Sequence, residues 1–173
     1  MAGSLIKLQE TIISSSTSSV TLGDTYWDSS YDVYMVRINA LVPASDSNLS
    51  ARFTVSGTPD TSSNYDRAAY DLRSDVNFAN ITIANQNNIQ LASTGSATNE
   101  MGNGIFYLFN FNNASEYSFM TNEESTIHPT NGAVRGRQGG AVLTVAQATD
   151  GIQFFMASGN INSGQFVLYG LKK

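Results

Sequence analysis

Helical periodicity is almost absent from this chain. Short runs rich in β-branched and aromatic residues instead recur every ~10 to 15 residues between clusters of Gly, Asn, Ser and Asp, the pattern of a sandwich or barrel. The runs are Leu5 to Ile13, Val20 to Leu22, Tyr31 to Val42, Leu49 to Val55, Tyr65 to Leu72, Ile105 to Phe111, Tyr117 to Thr121, Ala141 to Ala146, Gly151 to Ala157 and Gln165 to Leu171, with Ile89 to Leu91 a further short one. In the longest, Tyr34, Val36, Ile38, Ala40 and Val42 form the more apolar face and are expected on the core.

Turn chemistry at Gly57-Thr58-Pro59-Asp60 separates two runs. Asn112-Asn113-Ala114-Ser115 and Asn160-Ile161-Asn162-Ser163-Gly164 are expected to close hairpins. Ser74 to Asn88 reads as a long loop holding one short strand around Phe78, Ile81 and Ile83. Glu123 to Gly140 is too polar and too glycine-rich for a core strand and reads as a long contact loop. The expected fold is one all-β domain over residues 1–173, an antiparallel β-sandwich of jelly-roll-like closure, with an up-and-down barrel as the other way to protect the edges.

Charge then limits the partners. Only 13% of the 173 residues are charged, about half the usual ~25%, the net charge is -5, and the nine basic residues are scattered apart from Arg135 and Arg137 and the terminal Lys172-Lys173. Nucleic acid and anionic membrane both need a clustered basic face, so neither is expected as a partner. There is no cysteine, which removes disulfides and thiolate metal sites. The first ten residues carry neither a basic n-region nor an apolar h-region, and no run approaches the ~18 apolar residues of a membrane span; synthesis in a cytoplasm without export is expected.

Each chemical constellation fails on a missing partner. His128 is the single histidine; it follows Glu123 and Glu124, yet no Gly-x-Ser-x-Gly elbow accompanies it and zinc would lack ligands. Asp24, Asp28 and Asp32 share a face only on a helix, which Tyr, Ser and Asp disfavour, and they lack the alternation of a helix-loop-helix calcium loop. Gly136, Gly139 and Gly140 beside Arg135 and Arg137 lack the Gly-Lys-Ser/Thr of a phosphate cradle. No enzyme activity and no cofactor are therefore expected.

Two groups of residues remain as surface candidates. His128, Asn131, Arg135, Arg137 and Gln138 form a basic contact arm for a neighbouring protein. Tyr26, Trp27 and Tyr31 could stack on a sugar ring of a host glycan, against the alternative that they anchor the core at the start of the long strand.

At the C-terminal end, a strand is followed by Ser158-Gly159-Asn160-Ile161-Asn162-Ser163-Gly164 and closes on Leu168-Tyr169-Gly170-Leu171. With Leu8-x-x-Thr11, Tyr31-Asp32-Val33-Tyr34 and Tyr107-Leu108-Phe109-Asn110, this resembles small tailed-bacteriophage virion structural proteins. The resemblance implies a virion β-sandwich, made in a host cytoplasm and carried on the particle. It would serve as a capsid decoration or cement protein, or as a tail-fibre or tail-adaptor protein, with the major capsid protein or tail proteins as partners. The pattern brings no catalytic residue. No coiled-coil or β-helical stem precedes the first strands, which favours a compact homo-oligomer, a trimer, on a capsid or tail surface.

Overall fold

The computed structural model describes residues 4–27 and 30–172. In chain order the strands are β1 (Leu5–Ile13), β2 (Ser19–Gly23), β3 (Tyr31–Pro43), β4 (Ser47–Val55), β5 (Thr58–Pro59), β6 (Tyr65–Arg73) and β7 (Ala79–Gln86). They continue as β8 (Ile89–Thr94), β9 (Gly102–Phe109), β10 (Ser118–Ile127), β11 (Val134–Leu143), β12 (Gly151–Met156) and β13 (Ile161–Lys172). The fold is an all-β antiparallel sandwich. Its larger sheet runs β1-β13-β3-β9-β10-β11-β6-β7; the smaller runs β2-β12-β4, with β5 and β8 sharing the far side of β4.

Alternation along each strand explains the core. Phe106 and Leu108 of β9, Met120 of β10, Leu143 of β11, and Phe166 and Leu168 of β13 point inward. They meet Leu22, Leu49, Ala51, Phe53, Ile152 and Phe154 of the smaller sheet. Tyr65 is wholly buried, and its hydroxyl both accepts the Phe53 N–H at 3.0 Å and donates to the Asp60 carbonyl at 3.1 Å. The Ser56-Gly57 turn joins β4 to β5 with positive φ at both residues, 50° and 71°, the geometry of a two-residue hairpin.

Several expectations need correction. Tyr34, Val36 and Ile38 do face the core, but Ala40 adopts φ 52° at a register shift, so that Leu41 and Pro43 point inward beyond it in place of Ala40 and Val42. The extra residue switches the parity of the strand. The last two strands form no hairpin: β12 belongs to the smaller sheet, and β13 lies between β1 and β3. The turn before Ile161 carries the chain across the sandwich. Ser74 to Asn88 contains the eight-residue edge strand β7.

The largest departure is the expected contact loop. Glu123 to Gly140 is a β-hairpin at the middle of the larger sheet, with β10 and β11 in unbroken register from Ser118↔Leu143 to Ile127↔Val134. Glycine is needed in β11 because the neighbouring strand comes close: a Cβ on Gly139 would overlap the Ala68 carbonyl and the Ala69 side chain of β6. At Gly139, the glycine that made the segment look like a loop is what lets it lie against β6.

Candidate functional site

The inward-facing side chains of β6, β10 and β11 under β8 are charged where the rest of the sandwich is apolar. Arg67 and Asp71 come from β6, Asn122 and Glu124 from β10, and Arg135 and Arg137 from β11. Arg137 Nε stands 3.3 Å from Asp71 Oδ1 and Arg135 Nη1 stands 3.5 Å from Asp71 Oδ2, while Arg67 Nη2 lies 3.6 Å from Glu124 Oε1. Strand β8 closes the cluster with its backbone. Arg137 Nη1 donates to the Leu91 carbonyl at 2.5 Å, Arg67 Nη1 donates to the Gln90 carbonyl, and the Ala92 N–H donates to Glu124 Oε2 at 2.7 Å.

Burial pushes the Glu124 carboxyl above the usual glutamate range, opposed by the Ala92 N–H, by Arg67 and Arg137, and by Asn122, whose amide donates to it at 2.7 Å. Burial likewise lowers Arg67 to about 10, with Glu124 pulling it back up. Such a cluster fixes how β8 lies across the larger sheet. Its side chains are largely closed off from solvent, Arg67 and Glu124 most completely and Arg135 least.

The proposed contact arm is accordingly divided. Arg135 and Arg137 point into this cluster and offer no basic surface, because burial needs their charges paired with Asp71. His128 and Asn131 sit in the turn between β10 and β11, where His128 Nδ1 meets Asn131 Oδ1 at 3.1 Å and Asn131 Nδ2 donates to Asp75 Oδ2 at 2.6 Å. Gln138 alone among the five faces out from the sheet, donating to Glu123 Oε1 at 3.0 Å.

Nor do the aromatic residues make a platform. Trp27 is 8% exposed and lies on Tyr34 with Phe111 beside it, and Tyr31 meets Tyr34 edge-on, so the core-anchor alternative describes Trp27 and Tyr31. Tyr26, half-exposed in the Asp24–Tyr26 3₁₀ turn, stands apart from that stack. Asp24 lies in the same turn and Asp32 in β3, so no helix aligns them, and Asp28 lies outside the described residues. Among the described residues no three His, Cys, Asp or Glu gather as a metal-binding group.

Two surfaces that the residue runs left unmarked stand out instead. The outer face of the larger sheet carries Val33 and Met35 of β3, Tyr107 and Phe109 of β9, and Phe119 of β10, neighbours in register, while Ile105 at the end of this patch lies between Arg37 and Glu123. Ile105, Tyr107 and Phe119 are 38%, 39% and 42% exposed. The signal was present in the unbroken apolar run Ile105 to Phe109, which marks a strand apolar on both faces. The second surface is a groove of about 400 Å³ lined by Arg52, Gln86, Asn87, Asn88, Gln90 and Phe155. Arg52 donates from Nε to the Asn87 carbonyl at 2.9 Å and lies 4.5 Å over the Phe155 ring. Comparison with protein-family models, with curated proteins and with solved structures gives no match for this chain.

Proposed function

We propose that this chain is a non-enzymatic bacteriophage virion structural protein, a capsid decoration or cement protein that stabilises the particle through protein–protein contacts. The observation that carries the assembly role is the outer face of the larger sheet. An antiparallel sheet with one face on the core ordinarily turns polar residues to water, whereas here Tyr107 and Phe119 form an apolar patch with Val33, Met35 and Phe109, and exposed Ile105 extends it between Arg37 and Glu123. A flat apolar face of this kind is suited to burial against the surface of a capsid shell. The virion setting rests on the likeness of both chain ends and of Tyr107-Leu108-Phe109-Asn110 to tailed-phage virion proteins. The test is recombination with particles stripped of the protein, followed by quantification of copies per virion. Recovery at hundreds of copies fits a cement protein; a folded protein that leaves stripped particles bare contradicts the proposal.

A tail-fibre or tail-adaptor role with a host surface carbohydrate is the second reading, favoured by the Arg52 groove. Its amides suit sugar hydroxyls, and the Arg52 guanidinium suits a carboxylate-bearing sugar. A few dozen copies or fewer per virion, with glycan binding lost on Arg52→Ala, would replace the first reading by this one.

A further inference from the structure

Strand β7 is an edge whose first five residues, Ala79 to Ile83, lack the usual protection. Natural edges are blunted by charges, proline or bulges. The opposite edge, β1, carries Lys7 and Glu10 and a bulge between Lys7 and Gln9, but Ala79 to Gln86 holds no charge and no proline, and its irregularity is confined to its last residues, near Asn85. One row of its backbone groups pairs with β6, and the other is open.

Its sequence says what fits there. Ile81-Thr82-Ile83 reads the same in both directions about Thr82, with Asn80 and Ala79 before it answered by the small or polar Ala84 and Asn85 after it. We infer that a second copy of this chain pairs antiparallel with β7 about a twofold axis through Thr82, joining two larger sheets into one. Thr82 then stands opposite Thr82 of the other copy, and Ile81 opposite Ile83, both favourable cross-strand pairs. Register with β6 puts Ile81 and Ile83 on the inner face, beside Ala69 and Arg67, and both are only half-buried within one copy. Pairing gathers four isoleucines on that face.

A second feature fits the same axis. Phe78, just before β7, is 71% exposed, the most exposed large apolar side chain described. On the outer face, a shallow groove of about 470 Å³ is lined mostly by apolar groups of Ala68, Thr82, Ala84, Phe119, Gly140 and Val142. The twofold brings Phe78 of each copy just past Ala84 of the other, which lines that groove. An exposed ring and an unfilled apolar hollow thus meet in one isologous contact. This contact is separate from the Ile105 and Tyr107 patch, so it and the particle-binding reading can fail independently. It also differs from the threefold expected from the resemblance.

The test is sedimentation equilibrium of the full chain at up to ~100 µM, a range in which a moderate dimer is populated by mass action. A dimer is expected. Thr82 is exposed in the single copy, so Thr82→Lys should fold with unchanged thermal unfolding yet sediment as a monomer, two lysines now facing each other. Mixing Thr82→Lys with Thr82→Glu should restore a dimer, and Phe78→Ser should weaken it by about tenfold or more. A monomeric wild-type chain, a trimer, or a dimer indifferent to Thr82→Lys would overturn the inference. Loss of particle binding with the dimer intact would instead count against the cement role.

Discussion

Trp27 lies flat on Tyr34, with ring centroids 3.6 Å apart and 18° between their planes, and Phe111 packs against it at 4.7 Å, tilted by 38°. The stack ties the segment before β3 to the loop after β9, both outside the regular hydrogen-bond ladder. A lone tryptophan near an Asp- and Tyr-rich turn invites a ligand-stacking role, but this one is buried among core aromatics.

Trp27→Ala should therefore act on stability. Emptying a buried indole costs about 3 to 5 kcal/mol, read as a lower midpoint in urea unfolding. Residual folded protein should retain its binding to particles or glycans at unchanged affinity, measured by co-sedimentation or glycan array. Selective loss of glycan binding with unchanged stability would return Trp27 to the role of a sugar platform.

The charged cluster under β8 makes a second case. Glu124→Leu leaves Arg67 and Arg137 with less compensating charge in a site closed to solvent, and breaking a buried pair costs about 3 to 5 kcal/mol. The double variant Glu124→Leu with Arg67→Met should cost less than the sum of the single changes, since neither then strands a charge on the other. Urea unfolding of the four proteins measures the coupling; strict additivity would show that the pair is not energetically linked.

Asp60 provides a pH signature. Partial burial raises its carboxyl, but hydrogen bonds from the Ser62 side chain and backbone N–H and from Gln147 prevail and hold it below the ordinary 3.8. A carboxyl lowered by folding adds stability that is present above 3.8 and is lost as pH falls through its folded value. Gln147→Ala should therefore destabilise the protein at neutral pH and by progressively less below pH 3.8, measured by thermal unfolding at stepped pH. A stability difference that stays constant down to the acid limit would exclude this origin.

Strand count and core were legible where one face was apolar and the other polar, as in β3 up to Ile38 and in β4, or where a run was apolar throughout, as in β13. Reading failed where that contrast disappeared. In β10 and β11 the inward residues include Asn122, Glu124, Arg135 and Arg137, which find partners only across three strands and β8, so no local window distinguishes them from a solvated loop. In β11 glycine marks a close approach to β6 and not a turn. Strand β7 was obscured by the asparagines in and around it, Asn77, Asn80, Asn85, Asn87 and Asn88, a residue type depleted in strands and common in loops. The parity switch at Ala40 had no sequence signal, because a non-glycine residue with φ 52° is held there by its neighbours, its N–H donating to Asn103 Oδ1 at 3.0 Å. For the candidate surfaces, residue type pointed to Arg135, Arg137 and Trp27, which the fold buries; the apolar outer face required the register of β3, β9 and β10.

The central claim is that the Ile105 and Tyr107 face meets the particle. The direct measurement is co-sedimentation of Tyr107→Lys and Ile105→Lys with stripped particles, alongside wild type, after circular dichroism and thermal unfolding establish that both variants fold. Both positions are substantially exposed, so a lysine should change stability by no more than about 0.5 kcal/mol. A loss of particle affinity by tenfold or more in both variants is predicted, as expected for a charge placed in a buried apolar contact. Binding equal to wild type would contradict the account.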